Sequence, residues 1–274
     1  MIIYYRISSN SYNKPRMPGT SKSVCLKNFL DTFKDDKIFI VKDNCDEDTE
    51  LEIAKILFDY PEINVESTQL GNSGSFKYVL SKAIESPQEI VYFVEDDYLH
   101  EASARNILLE GLQIGDYASV YDHPDKYCSD YNYGEKTKIL RSQNHHWKFS
   151  ISTTMTFATR VETLQKDADV WIKHCDGPHP DDHQGFCEIQ RKLAVAIPGL
   201  AFHNDLAVYH LFSGGRGPNV ENWVIKYLEK ILVQKIYRCN DGDMEDAMHD
   251  VLRSKVDGVP LIICLDQILK TKKK

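Results

Sequence analysis

Short apolar runs alternate with amphipathic stretches over the first hundred positions, the pattern of strands and crossover helices in a parallel sheet. Ile2 to Ile7 reads as a first strand, and Cys25, Phe29, Leu30 and Phe33 recur at helical spacing after a polar loop rich in Asn, Lys, Pro and Gly. Lys37 to Val41 predicts a second strand that ends at Lys42-Asp43-Asn44, Asp48 to Phe58 a helix, and Ile63-Asn64-Val65 a short strand. Gly71-Asn72-Ser73-Gly74-Ser75 then leads into a helix that runs through Ala83. Ile90-Val91-Tyr92-Phe93-Val94 is continuously apolar, as in strands covered on both faces, and it stops abruptly at Glu95-Asp96-Asp97.

From about residue 101 to 217 the pattern is less regular. A helix is expected near Ala102 to Leu112, a polar segment rich in Tyr and Asp follows, and Ser150 to Ala158 and Leu193 to Ile197 look like strands. Beyond the glycine-rich Ser213-Gly214-Gly215-Arg216-Gly217-Pro218 the period changes. Val220, Trp223, Val224, Tyr227, Leu228, Ile231, Leu232 and Ile236 mark an amphipathic helix, with further helices expected from Met244 to Val256 and Ile262 to Leu269. The chain therefore divides at 217/218, with an α/β domain before that point and a helical appendage over 218–274. The appendage reads as a cap on the core or as a homodimer contact.

Composition narrows the class. With 274 residues and 42% hydrophobic content the chain buries a full core. A formal net charge of -8 argues against nucleic acid as a partner, because phosphate backbones are gripped through Lys and Arg fields. The seven cysteines are scattered without a C-x-x-C pair, which suits free thiols in a reducing compartment. The amino terminus looks like a strand rather than a signal peptide, and no apolar run approaches the roughly 20 residues of a transmembrane segment. A cytoplasmic protein is expected.

Candidate chemistry lies at the strand ends. Clustered carboxylates such as Glu95-Asp96-Asp97, placed where a buried parallel strand stops, suit a hard divalent cation in the crevice where such sheets bind ligands. His179-Pro180-Asp181-Asp182-His183 offers a carboxylate as general base, and His210, at the end of an apolar run, offers an imidazole to a metal begun by Asp97.

Taken in order, these residues resemble the nucleotide-sugar glycosyltransferases of the A-type fold over roughly residues 1 to 217. The resemblance implies a Rossmann-like, mostly parallel mixed sheet flanked by helices, with residues 1–100 as the nucleotide-sugar-binding half and 101–217 as the acceptor half. Ile7-Ser8 and Asp43-Asn44 stand where that family meets the nucleoside, and Asn72 and Gly74 lie in the turn that borders the donor pocket. Glu95-Asp96-Asp97 matches the D-x-D-like motif, with Glu at its first position. The family implies Mn²⁺ or Mg²⁺ on Asp97 and His210, and Asp96 and Glu95 beside the donor. Asp182 takes the part of the base, with Asp181 as the alternative because two adjacent acids are not ranked by sequence. Arg216, between two glycines, suits a loop closing on the diphosphate.

The implied activity is transfer of a sugar, with UDP as the default carrier, to a glycan or other hydroxyl acceptor, with inversion. Lys14, Arg16 and Lys22 read chiefly as surface charges. His145-His146-Trp147, the hydroxyl run Ser152 to Thr156, and Tyr121, Tyr127, Tyr131 and Tyr133 are further acceptor-side candidates. Two other classes stand beside this one, a nucleotidyltransferase acting on a sugar phosphate and a carbohydrate-binding protein without turnover. Neither glycine-containing segment fits G-x-x-x-x-G-K-[ST], which argues against a P-loop nucleoside triphosphatase.

Overall fold

The computed structural model describes residues 1–9, 20–123, 126 and 137–204, together with the backbone of a two-stranded ribbon, Lys255–Val256 with Val259–Pro260. His210, Arg216, Lys14, Arg16, Tyr127, Tyr131, Tyr133 and nearly all of the expected helical appendage lie outside the described residues.

The amino-terminal half alternates strand and helix as expected. Strands β1 (Ile2–Ile7), β2 (Lys37–Asp43), β3 (Asn64–Thr68) and β4 (Ile90–Glu95) enclose helices α1 (Lys22–Thr32), α2 (Glu47–Leu57) and α3 (Gly71–Ile84). These four strands lie parallel in the order β3-β2-β1-β4, so Ile7, Asp43, Thr68 and Glu95 all end at one edge of the sheet. A ribbon strand β5 (Tyr98–His100) follows, then α4 (Ala104–Ile114), β6 (Tyr117–Ser119), β7 (Ile139–Arg141), β8 (His146–Ser150), β9 (Phe157–Arg160), α5 (Val161–Lys173), α6 (Asp182–Ile189), β10 (Leu193–Ile197) and β11 (Ala201–His203).

The later strands extend the same sheet rather than form a second one. β9 lies antiparallel between β4 and β6, β10 runs parallel to β6, and β8 and β7 complete a nine-stranded sheet of order β3-β2-β1-β4-β9-β6-β10-β8-β7. The fold is thus α/β, a Rossmann-like, mostly parallel mixed sheet flanked by helices, and the two halves read from sequence share one continuous sheet.

Alternation along the strands feeds two cores. Ile3, Tyr5 and Ile7 face one layer with Leu26, Phe29, Phe33 and Leu108, while Tyr4 faces the other with Phe76, Leu80, Phe93 and Trp171. Local chemistry fixes the helix starts. Ser21 Oγ accepts from the Val24 N–H at 3.2 Å, and Asp46 Oδ1 accepts from the Thr49 N–H at 2.9 Å. Glu47, Asp48 and Glu50 in the first turn of α2 complement its dipole.

Three sequence expectations change, the first being that Lys255 and Val256, expected at the end of a helix, lie in the two-stranded ribbon. Gly71 to Ser75 is not a turn before α3 but its first turn: Gly71 enters at φ +73°, a backbone that favours glycine, and the helix proceeds from there. Ser150 to Ala158 is not one strand either. β8 and β9 occupy different places in the sheet, so residues 151–156 cross from one to the other, and their alternation serves side-chain hydrogen bonds instead of a ladder.

Candidate functional site

The parallel strand ends build one wall of the site. Asp96 is buried, and its Oδ2 accepts the Ser8 backbone N–H at 2.9 Å and pairs with Lys22 Nζ at 2.8 Å. Burial raises its pKa and the Lys22 ammonium opposes that rise. Lys22, at the first position of α1, is therefore half-buried in the acid cluster rather than a free surface charge.

Arg6, only 7% exposed, ties the cluster together. One guanidinium nitrogen donates to the Asn72 carbonyl at 2.9 Å, Asn72 Oδ1 at 2.8 Å and Ser75 Oγ at 3.2 Å, and the other donates to Glu95 Oε1 at 3.1 Å. The first turn of α3 is thereby bonded to the end of β4. Burial pushes the Glu95 carboxyl up to about 7; Arg6 pulls against it, the charges of Asp97 and Asp182 add to the rise, and His203 lowers it. Glu95, Asp97, Asp182 and His203 therefore share one electrostatic environment, although they come from positions up to 108 residues apart in sequence.

His203 was not singled out by its sequence. It arrives because β11 pairs antiparallel with β5, registering His203 with Tyr98 and Ala201 with His100. The Asn204 N–H donates to the Asp97 carbonyl at 2.8 Å, which extends the ladder past His203. His203 Nε2 then stands 3.1 Å from Asp97 Oδ2, with its ring edge-on to Tyr98 at a centroid distance of 4.9 Å.

Asp181 and Asp182 have different surroundings. Asp181 is the exposed N-cap of α6, and its Oδ1 accepts the Gln184 N–H at 3.1 Å. Asp182 is half-buried in the first turn, within the field of Glu95. The helix is seated firmly. The Asp181 N–H donates to the His174 carbonyl at 2.8 Å, and Phe186 packs edge-on to Trp171 at 4.9 Å. A Cβ on Gly185 would stand 2.8 Å from the Trp171 indole.

The remaining sequence candidates fall into two groups. Ile7 is buried at the end of β1 and Gly74 packs on Leu70, whose Cβ lies 2.8 Å from where a glycine Cβ would sit. Asp43 is occupied: Oδ1 accepts from Thr68 Oγ1 at 2.8 Å and the Leu70 N–H at 2.7 Å, so this carboxylate holds the β3–α3 connection. Trp147 lies in the core and His145 Nε2 meets the Pro198 carbonyl at 2.8 Å, so both serve the fold. Residues 151–156, by contrast, line the acid cluster: Thr156 Oγ1 accepts the Glu95 N–H at 3.2 Å and Thr154 Oγ1 accepts from Tyr98 OH at 2.8 Å.

His100, beneath the site, carries a testable charge state. Its ring is buried among Phe29, Phe33 and Tyr92, with Nε2 2.8 Å from Tyr92 OH. Burial pushes its pKa down to about 3 from 6.5. Between those values the unfolded chain binds more protons, so stability is complete above pH 6.5 and falls as pH drops, by about 1.4 kcal/mol per unit. From pH 7 to 4.5 the wild type is expected to lose about 2–3 kcal/mol more than His100→Gln in urea titrations. Equal losses would show that His100 is not the neutral buried group described.

Among the described residues no three His, Cys, Asp or Glu side chains converge as a preformed metal cluster. Asp97 and His203 do present a carboxylate and an imidazole to each other, donor types that suit Mn²⁺. No described helix is long and apolar enough to cross a membrane.

No protein-family model matches the chain, and no curated protein matches it. Solved structures do. The chain is similar to residues 1–349 of S. aureus TarS in complex with UDP-GlcNAc, at 15% identity and TM-score 0.46, covering 90% of this chain and 69% of that one. It is similar to the galactosyltransferase LgtC in complex with donor and acceptor sugar analogs, at 11% identity and TM-score 0.41, covering 71% and 73%. A third is CMP:2-keto-3-deoxy-manno-octonic acid synthetase complexed with CTP, at 10% identity and TM-score 0.43, covering 77% and 95%. The chain spans 41% of the length of another S. aureus TarS structure.

Proposed function

We propose that this protein is a glycosyltransferase that moves a sugar from a nucleotide diphosphate sugar, UDP-sugar by default, to an acceptor hydroxyl. The observation that carries the reading is the placement of Asp182. A carboxylate from the start of α6 stands in the field of an acid cluster at the carboxyl edge of four parallel strands, where such sheets bind nucleotides.

In this reading each group has work that follows from its surroundings. Asp97 and His203 would hold Mn²⁺ or Mg²⁺, with His210 the alternative imidazole from the sequence. A bound ion would supply neutralisation of charge on the departing diphosphate. Lys22 offers an ammonium to the same diphosphate, and Asp96, braced by the Ser8 N–H, meets the donor. Asp182 takes the proton of the attacking hydroxyl, while Asp181, occupied as the N-cap, orients the turn. Attack from the side opposite the leaving group inverts the anomeric centre.

The test is product configuration. Incubation with UDP-sugars and glycan acceptors is expected to yield a glycoside whose anomeric proton coupling reports inversion. A retained configuration would rule out the single displacement.

A further inference from the structure

Residues 151–156 carry hydroxyls inward, and one of them belongs to a contact chain that the reading above leaves unused. Lys126 is 4% exposed, and its ammonium donates to Ser152 Oγ at 2.8 Å. Ser152, itself 3% exposed, lies 2.9 Å from His183 Nδ1, and His183 Nε2 lies 3.7 Å from Cys187 Sγ one helical turn on. His183 is the residue after Asp182.

Proton counting gives this chain a direction. An ammonium has donors and no acceptor, so Ser152 Oγ must accept from Lys126. Apart from Lys126, which can only donate, the hydroxyl's one hydrogen-bond partner among the described residues is His183, so its single proton points at Nδ1. Nδ1 must then be an acceptor, and the ring carries its proton on Nε2, aimed at Cys187 Sγ. Each contact fixes the next. We propose that Lys126, Ser152 and His183 form a positioning relay that holds His183 in its Nε2–H form and thereby locks the first turn of α6, setting the orientation of Asp182.

The relay joins three parts of the chain that are distant in sequence. Lys126 lies within the sequence stretch rich in Tyr and Asp, Ser152 lies in the crossing that also bonds Glu95 through Thr156, and His183 is on α6. None of the three residues touches the reacting atoms in this scheme. They act through Asp182, so their loss should slow transfer without weakening the donor. This effect on transfer rests on the proposed function; the tautomer does not.

Two readouts separate them. Ring ¹⁵N–¹H correlation spectra of the whole protein should show His183 with a bare Nδ1 and a protonated Nε2, and Ser152→Ala should turn this into a mixture of tautomers. Ser152→Thr, which keeps the hydroxyl, should restore the single form. In transfer assays Ser152→Ala and Lys126→Met should lower kcat about 10-fold or more with the donor KM unchanged, and Ser152→Thr should recover most of it. A protonated Nδ1 in the wild type, or a spectrum indifferent to Ser152→Ala, would overturn the relay. Normal tautomer behaviour with an unaltered kcat in both variants would overturn its positioning role. If the wild type transferred no sugar at all, the proposed function would fail, and the spectra would still decide the relay's tautomer.

Discussion

Asp182→Asn is expected to leave the protein folded and able to bind its donor, yet to lower transfer about 10²- to 10⁴-fold, the usual worth of a general base. The amide is nearly isosteric with the carboxylate and cannot take a proton from the acceptor. Asp182 also adds to the rise in the Glu95 pKa, so removing its charge should bring Glu95 back toward the ordinary carboxylate range. Steady-state transfer measured beside donor binding would check this. Asp181→Asn should by contrast cost little, since Asn caps a helix about as well as Asp. The reverse ranking would move the base to Asp181.

The second large effect is on stability. Arg6→Met is expected to destabilise the fold by about 3 kcal/mol, the lower end of the cost of breaking a buried charge pair, because Arg6 is buried and Glu95 half-buried. Asn72, Ser75 and Glu95 all lose their common donor, and Glu95 loses the cation that opposes its raised pKa. The sign with pH follows. A carboxyl whose folded pKa stands above its unfolded value costs stability as pH rises between the two, and the variant moves the folded value further up. The gap between wild type and Arg6→Met should therefore be wider at pH 8 than at pH 5. Urea unfolding at both would measure it, and a constant gap would mean that Glu95 does not feel Arg6.

The sequence predicted the amino-terminal half well because parallel strands covered on both faces are written as uninterrupted apolar runs. Ile90 to Val94 and Lys37 to Val41 needed no context to be read, and helix α2 was placed to within a residue or so. The acid cluster was visible for the same reason, since it sits where such a run ends. The departures have physical causes. Gly71 and Gly74 resemble turn punctuation, but a positive φ at Gly71 and close packing of Gly74 on Leu70 let the helix begin there. The alternation of Ser152 to Phe157 resembles a strand because its polar positions are buried against Tyr98, Glu95 and His183, not solvated.

His203 was missed for another reason. Strands β5 and β11 have three residues each and pair across about a hundred positions, so nothing in their own composition announces the contact. Lys22 was read as a surface charge because a lysine at a helix start gives no sign that a buried aspartate lies beneath it. Helix α5 did carry a legible signal, with Val161, Leu164, Ala168 and Trp171 on one face, and Trp171 is what seats α6 and hence Asp182.

We propose that the acid cluster with His203 is a metal-assisted nucleotide diphosphate site. The decisive measurement is calorimetric titration of UDP, GDP and dTDP into the whole protein, each with and without Mn²⁺, repeated on Asp97→Ala. Metal-dependent binding of one diphosphate that disappears in Asp97→Ala is the predicted result. Failure of every diphosphate to bind the wild type, or binding indifferent to both Mn²⁺ and Asp97, would contradict the account and turn attention to a nucleotidyltransferase or a carbohydrate-binding protein without turnover.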